Sequence, residues 1–266
     1  FPSRHVAYAQ LAAIYLLDKQ TKPAIPLLER VIALRPDCFV SLANLGAAYI
    51  SEENFVQAIY FCKKALVLNP RYVNALYNLG IAFKGIGDLN ASESSYLQAI
   101  FYKQEYPEAL SNLGNLYHDK GDIFNSINCY QKALRIKPNY PEALVNLGRA
   151  QRSSGDIFSA IQSYKKAIQW KPDYSDAFSN LANAFQDQGD FQLAMSLYKN
   201  AIKLNPNNLD AYTNLGGLFH SIGDFVNAIL SYEKALAIDE DFLEANLNLS
   251  ISLLLSGNYK SGLEKY

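Results

Sequence analysis

Residues 107–140 read PEALSNLGNLYHDKGDIFNSINCYQKALRIKPNY, and they decide the fold because they carry the marks of two helices and the turn between them. Pro107 stands where a helix can begin, a position that tolerates a residue lacking an amide proton. Leu110, Gly114 and Tyr117 then fall at i, i+4 and i+7, on one face of that helix. Gly121 supplies a residue that takes the left-handed conformation and ends the helix, and Asp122 supplies the side-chain acceptor that starts the next. Pro138 halts the second helix.

The same pattern recurs in both directions at a spacing of 34 residues, seen at Asn44, Asn78, Asn112, Asn146, Asn180, Asn214 and Asn248, each followed by Leu. Gln10-Leu11 carries the register back to an eighth copy. Gly87, Gly121, Gly155, Gly189, Gly223 and Gly257 keep the same phase, each followed by Asp or Asn, and Pro36, Pro70, Pro138, Pro172 and Pro206 mark the ends of second helices. The expected architecture is all-α: about eight helix-turn-helix repeats at 5–38, 39–72, 73–106, 107–140, 141–174, 175–208, 209–242 and a truncated 243–266. A single copy cannot cover its own apolar face, so copies must stack, and the whole of 1–266 reads as one solenoid domain.

This pattern of Leu-Gly, aromatic, Ala, aromatic, Ala and Pro resembles the tetratricopeptide repeat family. It is carried by Leu110, Leu113-Gly114, Tyr117, Ser126, Tyr130, Ala133 and Pro138 in one copy, and by Phe178, Leu181-Ala182, Phe185, Ala194, Tyr198, Ala201 and Pro206 in another. Gln104 and Glu240 stand in for the terminal Pro, Ser92 and Ser126 for the small Ala, and Gln151 for the aromatic. The first copy departs most, with Lys19-Gln20 at its turn and Pro23 and Pro26 early in its second helix. The resemblance implies a right-handed superhelical solenoid whose first helices line a concave groove with positions 2, 5, 6, 9, 12 and 13 of each repeat.

At position 6 the seven Asn residues stand where Asn is a poor helix former. One reading makes them a ladder of amides for the backbone of an extended peptide; the other has them satisfy neighbouring helices. Position 2 carries Asn74 and then five acids, Glu108, Glu142, Asp176, Asp210 and Glu244, which the macrodipole favours in a first turn and which could also meet a ligand. Positions 9, 12 and 13 vary, giving Asn115, His118, Asp119, Arg149, Arg152, Asn183, Gln186, Asp187, His220 and Ser221 in the middle of the array as specificity candidates. The outer copies offer Ala47, Ile50, Ile81, Ile251 and Leu254 instead, a greasier lining.

Several functions are disfavoured. With 24 Lys plus Arg against 25 Asp plus Glu and no run of like charge, the chain lacks the concentrated positive surface that nucleic acid needs. No stretch reaches the roughly 20 apolar residues of a membrane span, and Phe1-Pro2-Ser3-Arg4-His5 does not open a signal peptide. Cys38, Cys62 and Cys129 are too far apart for a metal or redox motif and read as small apolar residues in a reducing, cytoplasmic setting. His118 and His220 lie three repeats apart and read as exposed groove residues; no catalytic set, metal cluster or cofactor motif accompanies them. Tyr96, Tyr130, Tyr164, Tyr198 and Tyr232 fall on core positions, which argues against a stacking surface built from them and Trp170.

Three functions follow as expectations. The first is a protein-interaction scaffold that binds a protein or peptide in its groove. The second is the acceptor-recruiting arm of a larger glycosyltransferase, since the Asn-Leu-Gly or Asn-Leu-Ala composite with an acid at position 2 resembles the superhelix of O-linked N-acetylglucosamine transferases, and Leu253 to Tyr266 resembles the last repeat of bacterial proteins that lead into a transferase domain. The third is an architectural solenoid that bridges complexes. The absence of an initiator Met and the helical ending at Tyr266 suggest a fragment of a longer chain, with a catalytic domain as a possible neighbour.

Overall fold

The computed structural model describes residues 4–265; Phe1, Pro2, Ser3 and Tyr266, including the ends invoked above, lie outside the described residues. Among those described there are sixteen α-helices and no strands. Two compact units meet between Ile136 and Lys137. The first holds α1 (Arg4–Leu17), α2 (Thr21–Leu34), α3 (Phe39–Ser51), α4 (Phe55–Leu68), α5 (Val73–Gly85), α6 (Leu89–Tyr102), α7 (Pro107–Asp119) and α8 (Ile123–Ile136). The second holds α9 (Pro141–Ser153), α10 (Ile157–Trp170), α11 (Ser175–Asp187), α12 (Phe191–Leu204), α13 (Leu209–Ser221), α14 (Phe225–Leu236), α15 (Leu243–Leu255) and α16 (Tyr259–Lys265).

From the second repeat on, each helical hairpin is closed by one dipeptide that serves both helices; Gln20 in the first makes no side-chain cap. In the fourth repeat Gly121 sits at φ 78° and the amide of Asp122 reaches back to the carbonyl of Tyr117 at 2.8 Å, the six-to-one bond that seals a helix C-terminus. The Asp122 carboxylate then accepts the amide of Asn125 at 3.1 Å and caps α8. Asp88, Asp156, Asp190 and Asp224 repeat this double duty. In the first two copies the left-handed residue is not glycine: Lys19 adopts φ 57° and Glu53 φ 56°. Pro23 and Pro26 do not break α2, which runs unbroken from Thr21 to Leu34.

In four of the hairpins the core is a ring laid on a glycine backbone. Tyr96, Tyr130, Tyr164, Tyr198 and Tyr232 are among the most buried side chains, as their register predicts. A Cβ placed on Gly80, Gly114, Gly148 or Gly216 would come within 2.4 to 2.7 Å of the facing tyrosine ring, so the missing side chain is what lets the ring seat there. Within the first unit, first helices touch along α3, α5 and α7; within the second they touch along α9, α11, α13 and α15. Second helices pack on the first helices beside them and not in comparable fashion on one another, so the first helices form the tighter, inner layer of each unit.

Candidate functional site

The inner layer of the second unit encloses a polar cavity of roughly 380 Å3 between α9, α11 and α13. From α9 it takes Val145, Asn146, Arg149 and Arg152; from α11 and its N-cap, Tyr174, Asp176, Ser179, Asn180 and Asn183; from α13 and its N-cap, Asn208, Asp210 and Asn214. These residues converge because 34 residues return the chain to the same helix face, so positions 2, 6 and 9 of three successive repeats lie side by side. Eight of the eighteen candidate site residues, all in the second unit, meet here.

The seven position-6 asparagines are half-buried and divide into two groups. Three are engaged by the chain. Asn78 donates to the Ala43 carbonyl at 3.2 Å and also approaches the Cys62 thiol, Asn112 donates to the Tyr77 hydroxyl at 3.0 Å, and Asn180 donates to the Asp176 carbonyl at 2.8 Å. Asn44, Asn146, Asn214 and Asn248 make no side-chain hydrogen bond among the described residues, and Asn146 and Asn214 face the cavity. Three rungs thus bond within the chain, and four carry amides with no side-chain hydrogen bond among the described residues.

Other candidates pair with one another. Arg152 reaches across to Asp187 with two bonds, Nε to Oδ2 at 2.5 Å and Nη2 to Oδ1 at 3.0 Å. Lys84 meets Asp119 at 2.6 Å in the first unit. Both pairs join position 12 of one repeat to position 13 of the next, so these charges are committed to stapling repeats together. The hydrogen bond to Asp187 holds the Arg152 guanidinium above its ordinary range; burial acts the other way, and the Asp187 charge adds to the rise. Asn115 and Asn183 are tied to core tyrosines, accepting from the hydroxyls of Tyr130 at 2.6 Å and Tyr198 at 2.5 Å; Gln186 is the second acceptor of Tyr198, at 2.9 Å.

The histidines are not the exposed residues expected. His220 is half-buried, its Nδ1 2.9 Å from the Ser252 hydroxyl in the next repeat and its ring edge-on to Phe225. His118 is likewise half-buried and engaged. A repeat interface leaves the last turn of a first helix partly covered by the following first helix, which is why position 12 is less open than a helical wheel suggests.

What remains uncommitted is distinctive. Arg149 is exposed and makes no ion pair among the described residues. Asp210 has no partner there either, while Asp176 accepts from the Asn208 amide at 3.3 Å through one oxygen. The Ser179 hydroxyl, in the cavity wall, and the Tyr164 hydroxyl, whose ring packs on Gly148 of α9, are buried without a hydrogen-bond partner among the described residues. Burial pushes the Tyr164 hydroxyl well above its ordinary pKa, against the opposing pull of Arg152 and Arg149. The position that offers Tyr130 and Tyr198 the amide oxygens of Asn115 and Asn183 carries Arg149 in the repeat of Tyr164, so no acceptor for the Tyr164 O–H stands there.

Sequence reasoning passed over Tyr174, Ser175 and Asn208, and it placed position 5, where Ser179 stands, in the groove without singling that residue out. Asn208 caps α13 through the Ala211 amide at 2.9 Å and donates to the Ser175 hydroxyl at 2.7 Å. A signal existed: Asn208 is polar where the corresponding residues of neighbouring repeats are Tyr106, Tyr140, Tyr174 and Phe242. Elsewhere, burial pushes the Cys62 thiol up to about 12 and the Cys129 thiol up to about 11. Among the described residues no group of three or more His, Cys, Asp or Glu could hold a metal ion, and no helix is long and apolar enough to cross a membrane.

Sequence models agree with this geometry. One described as TPR repeat matches residues 114–155 and 148–189, and others described as tetratricopeptide repeat match 39–72, 73–105 and 179–242. No curated protein matches the chain significantly. A solved structure titled "Crystal structure of APC/C hetero-tetramer Cut9-Hcn1" superposes with a TM-score of 0.77 at 18% identity, covering 91% of this chain and 48% of that one. At that identity the likeness speaks for the fold alone, and with 487 chains of solved structures matching, this fold by itself names no partner.

Proposed function

Because the chain belongs to the tetratricopeptide repeat family, we propose that it is a protein-interaction scaffold whose inner face holds an extended segment of a partner, with the cavity between α9, α11 and α13 as the principal contact. One observation carries this reading: Asn146 and Asn214 point unpartnered amides at the same cavity, two repeats apart. A primary amide offers two donors and an acceptor, the complement of a peptide backbone, and such pairing gives affinity without demanding a sequence.

The test separates binding from packing. Random dodecapeptides displayed on phage are selected against the full chain, and the enriched peptides are measured against a variant carrying Asn146→Ala and Asn214→Ala. Two lost hydrogen bonds of about 1 kcal/mol each correspond to roughly 30-fold weaker binding, with an unchanged thermal midpoint because neither amide bonds within the chain. Equal affinity for both proteins, or no enrichment at all, sinks the proposal. The transferase-arm reading uses the same face and rests on the same register of Asn and acids; it is distinguished by whether the selected peptides block acceptor modification by a parent enzyme.

A further inference from the structure

From the cavity's uncommitted charges we infer that it selects a dipolar stretch of peptide, one in which a carboxylate seats on Arg149 and a basic side chain a few residues away seats between Asp176 and Asp210. The inference rests on the proposed peptide-binding reading and adds what that reading leaves open, the side chains preferred.

The cavity lining carries two arginines and two aspartates, but Arg152 is neutralised by the bidentate Asp187. One cation, Arg149, therefore faces two carboxylates, and none of the three is tied up in an ion pair among the described residues. They are separated by construction: Arg149 lies in the third turn of α9, whereas Asp176 and Asp210 lie in the first turns of α11 and α13. Both acids stand in first turns, where the helix dipole favours negative charge, and they mark the acidic end of the cavity.

A purely anionic ligand, such as a doubly charged phosphate, would gain Arg149 but meet two aspartates; a purely cationic one would meet Arg149. A ligand with both charges in the right order satisfies all three groups. The planar guanidinium of Arg149 presents paired donors that fit a carboxylate fork. The Ser179 side chain, 4% exposed, lines the wall, and its buried hydroxyl has no hydrogen-bond partner among the described residues. Arg149 also stands where Asn would have satisfied Tyr164, so its presence is at odds with the packing of its own repeat.

The test uses the displayed dodecapeptides, in one pool with free and another with amidated C-termini after resynthesis. The expected result is enrichment of an acidic residue and a basic residue at fixed separation and order. Arg149→Met should abolish the acidic preference while keeping the basic one, and Asp210→Asn should do the reverse; each should weaken the selected peptides about 10- to 100-fold, as loss of a charged hydrogen bond does. Binding that needs the free C-terminus assigns the carboxylate to the chain end, and binding that survives amidation assigns it to a side chain. Enriched peptides with no charge preference, or with preferences that neither substitution changes, overturn the inference while leaving the amide contacts to stand on the Asn146/Asn214 result. Both substitutions are at surface-facing positions, and an unchanged circular dichroism melt verifies that each variant is folded.

Discussion

Tyr164 and Tyr198 occupy the same place in successive repeats, yet replacing each by phenylalanine should move stability in opposite directions. The Tyr198 hydroxyl donates within the chain, so Tyr198→Phe loses a hydrogen bond and leaves the acceptors of Asn183 and Gln186 to find water, at a cost of about 1 kcal/mol. The Tyr164 hydroxyl is fully buried and bonds to nothing, so Tyr164→Phe removes a desolvated polar group while keeping the ring, a gain of about 1 kcal/mol. The gap between the variants is then about 2 kcal/mol, and with an m-value near 3 kcal/mol/M it appears as roughly 0.7 M urea between midpoints. Urea unfolding followed by far-UV circular dichroism reads it, provided the slopes agree, since repeat arrays need not unfold in one step. Arg149→Asn supplies an internal control: restoring the acceptor should stabilise the parent and not the Tyr164→Phe variant. A Tyr164→Phe midpoint that falls alongside that of Tyr198→Phe would refute the claim that the hydroxyl is orphaned, and with it the account of why Arg149 stands out.

Three further outcomes follow from the turns, the caps and the staples. Glu53→Gly should raise stability by about 1 kcal/mol, because a non-glycine residue there holds φ 56°, and Gly121→Ala should lower it by a similar amount; both are read as urea midpoints. Hydrogen bonds from the Asn125 side chain and backbone hold the Asp122 carboxyl below its ordinary 3.8, and Asn227 does the same for Asp224. A depressed folded-state pKa contributes stability that is present above 3.8 and lost as pH falls through the lower folded value, so the acid unfolding curve of the double variant Asp122→Asn, Asp224→Asn should be flatter below pH 4, since Asn caps a helix as well without titrating. A double-mutant cycle on Arg152 and Asp187 should give a coupling of about 0.5–1 kcal/mol that shrinks in high salt, as expected of a bidentate pair about one-third exposed; a coupling of zero would mean the staple is ornamental.

The hairpins were legible because their signals are local. Gly121-Asp122 specifies a C-terminus and an N-cap within two residues, and the Tyr130 position declares itself by its phase with Gly114. The site was legible only as a set of positions. Whether Asn180 or Asn146 is the engaged rung depends on where each amide turns, and at equal register Asn180 finds the Asp176 carbonyl while Asn146 finds nothing. The pairings were within reach but span repeats: Lys84 with Asp119 and Arg152 with Asp187 are opposite charges 35 residues apart, one step beyond the period, and Tyr198 follows Asn183 by 15. Reading each position as an independent groove residue hides such bonds, because they run between helices rather than along them.

The distribution of unsatisfied groups carries the functional weight. A repeat protein has a ready solution at every position, since whatever satisfies one copy can be used in the next. Repeats four and six place an amide on the core tyrosine, repeats three and five staple an acid in the following copy, and repeat seven ties its histidine to Ser252. Repeat five could have carried Asn at 149 and closed its own account; it carries Arg, leaves Tyr164 unpaired, and does so beside Asn146, Asn214, Asp210 and Ser179, each without a side-chain partner among the described residues. Partnerless groups also occur elsewhere, at Asn44, Ser126, Thr213 and Asn248; what this cavity adds is that unpaired amides, a guanidinium and a carboxylate line one space, the kind of local inconsistency that functional surfaces show.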